Sequence, residues 1–131
     1  MTTTKQDLKT KLSGIFEKEP SVGLVYLFGS QATGKTGPLS DYDFAIYFDE
    51  KDVVKRTNTL FGLAGEISLV LKTDKIDAHS LNDLDAPELK YSIIKDGALI
   101  FEREPYRVIV EPRILNEYFD FTYLLRKYWS N

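Results

Sequence analysis

The sequence lacks several residue types on which common protein chemistries depend. Its 131 residues include no cysteine, one histidine and one methionine. The absence of cysteine excludes thiolate zinc sites, disulfide frameworks and cysteine nucleophiles. One histidine is too few for a histidine-rich metal centre and leaves little material for a histidine-based triad. An excess of basic residues is also missing, since 17 Lys and Arg stand against 20 Asp and Glu, so the composition gives no sign of direct nucleic-acid binding.

Long hydrophobic runs are missing as well. The run over residues 22–28 is far shorter than the roughly 20 residues that a membrane-spanning helix needs. The first ten residues have no apolar core of the signal-peptide type. We therefore expect a soluble cytoplasmic protein without membrane contact. The length and a hydrophobic content of 43% fit one globular domain, and the unusual feature is an aromatic content of 13%.

Hydrophobic periodicity predicts an alternation of helices and short strands. Apolar residues at helical spacing predict helices over 4–18, 52–72, 87–95 and, with an interruption or restart at Pro112, from Pro105 onwards. Apolar or alternating runs predict strands over 22–28, 41–48, 75–81 and 98–101. The alternation over 41–48 is typical of a strand with one well-buried face. This order predicts an α/β (α+β) fold with a small mixed sheet flanked by helices. We expect one domain, with a core over 1–104 and a C-terminal helical segment over 105–131.

The pattern richest in chemistry is Gly29–Ser30, then ten residues, then Asp41–Tyr42–Asp43. Asp41 and Asp43 are two apart on a predicted strand, so both carboxylates leave the same face. Both are ionised at neutral pH and repel each other, which favours contact with water or a cation. Mg²⁺ prefers oxygen ligands such as one or two carboxylates together with substrate phosphates. A Gly-Ser turn after a buried strand offers backbone N–H groups and a hydroxyl to a phosphate, and Lys35 in the following loop supplies a cation.

A third carboxylate fits the same pattern. Asp77 lies in the predicted strand KIDAHSL, which can pair beside the strand that carries Asp41 and Asp43. Three converging carboxylates are what two metal ions require in an in-line phosphoryl transfer, and Asp77 could accept the proton of an attacking hydroxyl. His79 shares a strand face with Asp77, where it could orient the base or contact nucleotide, although a structural or exposed histidine is the commoner case.

Each part of this pattern also has a plain structural explanation. An Asp-x-Asp pair can be two solvated residues on an exposed face, and a Gly-Ser turn can be no more than a turn. Their combination at this spacing, in a strand–loop–strand context, favours the chemical interpretation.

The segment FGSQATGKTGPLSDYDFAIYF resembles the Gly-Ser-x10-Asp-x-Asp signature of the polymerase-beta-like nucleotidyltransferases. The short length and the segment YFDFTYLLRKYW resemble the minimal nucleotidyltransferase (MNT) antitoxins that accompany HEPN ribonuclease toxins. The resemblance implies the polymerase-beta-like fold and Mg²⁺-dependent transfer of AMP from ATP, with two ions expected. In the antitoxin subfamily the acceptor is a tyrosine hydroxyl of the HEPN toxin, and its modification silences the ribonuclease in a hetero-oligomer.

The resemblance also implies the roles of individual residues. The metal-binding and catalytic carboxylates would be Asp41, Asp43 and Asp77, with Asp77 activating the acceptor hydroxyl. The nucleotide-binding residues would be Gly29, Ser30, Lys35 and Ser40.

Two departures from the family pattern leave alternatives open. Thr33 stands where many relatives carry an arginine, and the loop contains an extra Gly37–Pro38. Lys35 could compensate for the missing cation. One alternative is the same chemistry on a small hydroxylated substrate such as an antibiotic, for which a chain of this length has little pocket material. The other is a non-catalytic antitoxin that blocks its partner by binding.

The C-terminal segment combines aromatic residues with little room to bury them. Six aromatic side chains lie within twelve residues, at 118, 119, 121, 123, 128 and 129. The segment is apolar on more than one helical face, so it is either a well-packed final helix or a partner surface, with Arg113 and Arg126 at its rim.

Overall fold

The structure, a computed structural model, describes residues 5–29 and 41–129. The helices of this part are α1 (Lys5–Glu17), α2 (Val53–Leu71), α3 (Pro87–Asp96) and α4 (Tyr106–Trp129). The strands are β1 (Val22–Phe28), β2 (Tyr42–Phe48), β3 (Ile76–Ser80) and β4 (Ala98–Glu102), and a 3₁₀ turn, Leu81–Asp83, follows β3. The predicted α+β class and element order are confirmed.

The four strands form one mixed sheet in the order β3-β2-β1-β4. Strand β1 lies in the middle and pairs antiparallel with both β2 and β4, whereas β2 and β3 are parallel. Parallel neighbours need a long crossover connection, and α2 supplies it between β2 and β3. The parallel pair brings the starts of β2 and β3 to the same edge of the sheet as the end of β1.

Helices cover both faces of the sheet. On one face the core includes residues of α1 and α2, such as Phe16 and Ile67, packed on Phe44 and Ile46 of β2. On the other face Ile93 of α3 and Val110 and Ile114 of α4 belong to the core cluster that includes Leu24, Tyr26 and Ala45. The prediction of one well-buried face for β2 is confirmed by Phe44, Ile46 and Phe48, and Ala45 on the second face is fully buried as well. Alternation in the sequence does not reveal that a second layer of helices covers the same strand.

The ends of the middle helices follow the local sequence. Asp52 caps α2, and its side chain accepts hydrogen bonds from the backbone N–H groups of Val54 and Lys55. Helix α3 begins at Pro87, as predicted, and ends at Asp96 with Gly97 as its C-cap, one residue beyond the predicted end. Gly97 has a φ of −74° rather than a left-handed conformation. Glycine is needed there because a β-carbon would collide with the carbonyl oxygen of Ile93.

The prediction that Pro112 interrupts the C-terminal helix was wrong. Helix α4 runs from Tyr106 to Trp129 with Pro112 inside it. A proline in a helix removes one backbone donor, which leaves the carbonyl oxygen four residues earlier without its helical partner. That residue is Val108, whose side chain is 73% exposed, so water can reach this side of the helix. Burial of Val110 and Ile114 against the sheet holds the helix together on its other side.

Three polar contacts attach α4 to the rest of the fold. At its start, Tyr106 donates a 2.5 Å hydrogen bond to Asp49, directly after a cis peptide bond between Glu104 and Pro105. Farther along, the Tyr26 hydroxyl of β1 donates to Glu111, also at 2.5 Å. Lys90 of α3 forms a salt bridge with Glu117 of α4 at 2.7 Å. None of the helices in the described residues is both long and apolar enough to span a bilayer.

Candidate functional site

Two of the predicted carboxylates lie side by side at one edge of the sheet. In the parallel register of β2 and β3, Asp43 is the partner of Asp77. Directly opposed residues of neighbouring strands project from the same face. Asp43 is half-buried, and Asp77 is exposed. The prediction that the strand of Asp77 pairs beside that of Asp43 is confirmed.

His79 joins these two carboxylates. One ligand atom from each of Asp43, Asp77 and His79 lies within 4.8 Å of the other two, and among the described residues this is the group with spacing suited to a metal ion. His79 Nε2 is 3.1 Å from Asp77 Oδ2. Sequence reasoning noted the shared face, but the contact itself depends on side-chain rotamers and is visible only in the structure.

Negatively charged carboxylates lie close together in the site and change the pKa of Asp43. The pKa of Asp43 lies above its usual value, first because burial disfavours the charged carboxylate and then because Asp77 and Asp41 repel it. His79 acts in the opposite direction. Because the described residues around ionised Asp43 bring more negative than positive charge, the donor set suits a hard cation with oxygen ligands.

Asp41 lies next to this group without being part of it. It directly precedes β2 and is exposed. Its charge acts on Asp43, yet its carboxylate is not among the ligand atoms that lie within 4.8 Å of one another. Its role as a metal ligand stays a prediction, as do the roles of Asp43 and Asp77.

Gly29 closes the other side of the site. It follows β1 directly and has a φ of +76°, a conformation that glycine adopts without strain. Phe28, the last residue of β1, is the register partner of Asp43. A β-carbon at Gly29 would lie 2.5 Å from Asp43 Oδ2, so the glycine also makes room for that carboxylate. Gly29 and Asp43, which are distant in sequence, thus meet in space.

The remaining predicted nucleotide ligands are Ser30, Lys35 and Ser40. They fall outside the described residues, together with Thr33, and their roles stay predictions.

The end of α4 carries a large exposed apolar surface. The side chains of Phe119, Tyr123, Leu124, Leu125, Tyr128 and Trp129 are all at least 40% exposed, and Trp129 reaches 81%. Tyr118 is an exception, because its ring stacks on Tyr91 of α3 with centroids 4.0 Å apart. Four of the six aromatic side chains in this segment are therefore not used by the core.

Comparison with known proteins identifies relatives of this chain. The family model described as "Polymerase beta, Nucleotidyltransferase" matches residues 10–106. A curated relative, the "Protein adenylyltransferase MntA" of Aphanizomenon flos-aquae, is 33% identical over 95 residues. The match covers 67% of this chain and 62% of the relative, so this chain spans about three fifths of that protein's length.

Solved structures share the fold at low sequence identity. A crystal structure of a toxin–antitoxin with AMP-PNP superposes with a TM-score of 0.72 at 18% identity, covering 91% of this chain and 93% of the other. A complex of a tri-AMPylated Shewanella oneidensis HEPN toxin with MNT antitoxin has a TM-score of 0.68 at 17% identity, covering 95% and 94%. At these identities the likeness shows the fold.

Proposed function

The chain belongs to the polymerase beta nucleotidyltransferase family, and we propose that it is an antitoxin that transfers AMP from ATP to a tyrosine hydroxyl of a HEPN ribonuclease toxin. The observation that carries this proposal is the pairing of Asp43 with Asp77 beside the Gly29 turn. The curated relative is named a protein adenylyltransferase, and one structural neighbour contains an AMPylated HEPN toxin, which supports the same acceptor. Because the reaction consumes ATP, we propose the cytoplasm as its compartment.

We assign the site residues as the sequence pattern suggests. Asp41, Asp43 and Asp77 would hold Mg²⁺, and the repulsion that Asp77 and Asp41 exert on Asp43 supports a cation there. When bound, Mg²⁺ would offset the negative charge on the triphosphate oxygens, including those of the phosphoryl group under attack. Gly29 would offer its backbone to the triphosphate, and Ser30, Lys35 and Ser40 would add polar contacts.

The chemistry requires one base and one well-placed phosphate. The acceptor oxygen forms a bond to the α-phosphorus of ATP while the bond from that phosphorus to the pyrophosphate oxygen breaks. Asp77 is suited to take the acceptor's proton, because its side chain is 54% exposed and open to a substrate. Pyrophosphate leaves with the electron pair of the broken bond.

We further propose that residues 105–131 form a unit of function distinct from the catalytic core over 1–104. The buried half of α4 attaches it to the sheet through Val110 and Ile114. The exposed half would dock the toxin, since large aromatic side chains and arginines are enriched at binding hot spots. Trp129, at 81% exposure, is the leading anchor.

The catalytic part is tested with labelled ATP, Mg²⁺ and the product of the neighbouring gene. We expect label on the toxin with the native chain and a loss of at least about 100-fold with Asp43→Asn. Asp74→Asn is the matched control. Asp74 is an exposed carboxylate just before β3, and it is not part of the group formed by Asp43, Asp77 and His79.

Other outcomes would overturn this function. Label transferred to a small hydroxylated compound, and none to the toxin, would indicate the antibiotic type of acceptor. Neutralisation of the toxin by the Asp41→Ala/Asp43→Ala variant, without any labelling by the native chain, would leave a binding antitoxin.

The docking part needs its own variants. Tyr123→Ser combined with Trp129→Ser should weaken toxin binding by at least about tenfold while Tyr118 stays stacked on Tyr91. Phe61→Ser on α2 is the control, since Phe61 is 72% exposed but lies on another element. If the α4 double variant and Phe61→Ser weaken toxin binding equally in a binding titration, the assignment of the docking surface to α4 is contradicted.

A further inference from the structure

The single histidine of the sequence lies beside the proposed base. His79 Nε2 lies 3.1 Å from Asp77 Oδ2, within hydrogen-bond distance. A carboxylate accepts hydrogen bonds, so the nitrogen is the donor. A nitrogen that donates its proton to Asp77 is not free to bind a metal at the same time, so the geometry indicates a supporting contact rather than a ligand.

The fold holds the imidazole in place from its other side. His79 is the register partner of Ala45, and Phe28 is the partner of Asp43. Phe28 and His79 therefore lie on a diagonal across β2, and their rings are in contact with centroids 5.9 Å apart. Phe28 also directly precedes Gly29, so one aromatic contact connects the proposed phosphate turn to the proposed base.

Within residues 5–29 and 41–129, His79 is the side chain that pairs with the carboxylate of Asp77. The side chain of Asp77 is 54% exposed, and an exposed aspartate rotates among several rotamers. A hydrogen bond to Oδ2 restricts that rotation and leaves the second oxygen available to a metal ion or an acceptor hydroxyl. Groups that orient a metal ligand or base in this way commonly contribute 10- to 100-fold to affinity or activity.

We propose that His79 is a positioning residue that holds Asp77 by donating its Nε2–H, a role that rests on the proposed function of Asp77. It does not contact the reacting atoms. Its loss lowers the turnover of AMP transfer and the affinity of the site for Mg²⁺, and it leaves the fold intact because the side chain is 37% exposed.

Two amide substitutions distinguish this role from general packing. His79→Gln keeps an N–H near the position of Nε2, whereas His79→Asn places its amide where Nδ1 lies and does not reach Asp77. We expect His79→Asn to lower kcat by roughly 10- to 100-fold with the KM for ATP changed less than about twofold, and His79→Gln to keep most of the activity.

A second readout is independent of turnover. Calorimetric titration of the full chain with Mg²⁺, in the presence of a non-hydrolysable ATP analogue, should give about a tenfold higher Kd for His79→Asn than for the native chain or His79→Gln. Thermal melting of all three proteins should agree within about 2 °C, because no buried group is removed.

The outcomes separate this inference from the proposed function. Equal losses in His79→Asn and His79→Gln, or native kcat and native Mg²⁺ affinity in His79→Asn, would overturn the positioning role. If the native chain labels no toxin, the proposed function fails by itself, and the Mg²⁺ titration still decides whether His79 holds Asp77.

Discussion

Gly29 and Asp43 are fitted to each other: a β-carbon on Gly29 would lie 2.5 Å from Asp43 Oδ2. The glycine also has a φ of +76°, which disfavours any residue with a side chain. The end of β1 and the start of β2 approach closely because Phe28 and Asp43 are register partners. The space beside the carboxylate is therefore created by the absence of a side chain on Gly29, one residue beyond that partner.

The first prediction follows from this fit. Gly29→Ala should displace the carboxylate of Asp43 and lower AMP transfer by at least about 100-fold, while the left-handed backbone costs about 1–2 kcal/mol of stability. Initial rates and urea unfolding measure the two effects. Gly14→Ala is the control, because its added β-carbon meets nothing within 4 Å in α1 and should leave activity unchanged. Native activity in Gly29→Ala would show that the turn tolerates a side chain.

The second prediction concerns the hydrogen bond between Tyr26 and Glu111. Burial first, and then the bond to Glu111, raise the pKa of Tyr26 well above its usual 10.0. Above pH 10 the unfolded chain loses this proton and the folded chain keeps it, so stability falls as pH rises. Tyr26→Phe should cost about 1–2 kcal/mol at pH 7, and its stability should decline less steeply above pH 10. Urea unfolding at pH 7, 9 and 10.5 tests both statements, and parallel pH curves for the two proteins would refute the second.

The third prediction concerns the ion pair that attaches the start of α2 to the turn after β3. Arg56 donates two hydrogen bonds to Asp83, and these bonds hold the pKa of Asp83 below its usual 3.8. A lowered carboxyl pKa stabilises the fold above pH 3.8, and the contribution is lost as pH falls through the folded-state pKa. Because Asp83 is 37% exposed, Asp83→Asn should cost only about 0.5 kcal/mol at pH 7. The difference from the native chain should disappear at pH 2.5, and its persistence there would contradict the charge-based explanation.

The fourth prediction concerns glycines inside α2. Gly62 and Gly65 lie on the exposed side of the helix, and a β-carbon on either would meet nothing within 4 Å. Glycine inside a helix is less favourable than alanine, so Gly62→Ala and Gly65→Ala should each raise the free energy of unfolding by about 0.5–1 kcal/mol.

Gly23 provides the opposite case in the same measurement. A β-carbon there would lie 2.9 Å from the ring of Tyr106, so Gly23→Ala should destabilise the fold by about 1–3 kcal/mol. A lower free energy of unfolding in Gly62→Ala or Gly65→Ala would contradict the prediction that alanine is tolerated at these positions of α2.

Local sequence patterns were enough to predict the elements and the pattern of the site. Helical spacing predicted both ends of α1 and of α2 to within one residue. These features are local, since capping, periodicity and turn chemistry depend on residues within one or two turns. The spacing of Gly29, Ser30, Asp41 and Asp43 likewise followed from one strand–loop–strand segment.

Packing between distant parts of the chain settled the remaining features. Burial of Val110 and Ile114 carries α4 through Pro112, and α3 and α4 cover the second face of β2. The room that Gly29 leaves for Asp43 depends on the register of β1 and β2, and the contact of His79 with Asp77 depends on the side-chain rotamers of two residues on β3. The lone histidine, which at the level of composition only excluded a histidine-rich metal centre, lies beside Asp77 in the folded sheet, where Phe28 of β1 packs against its ring.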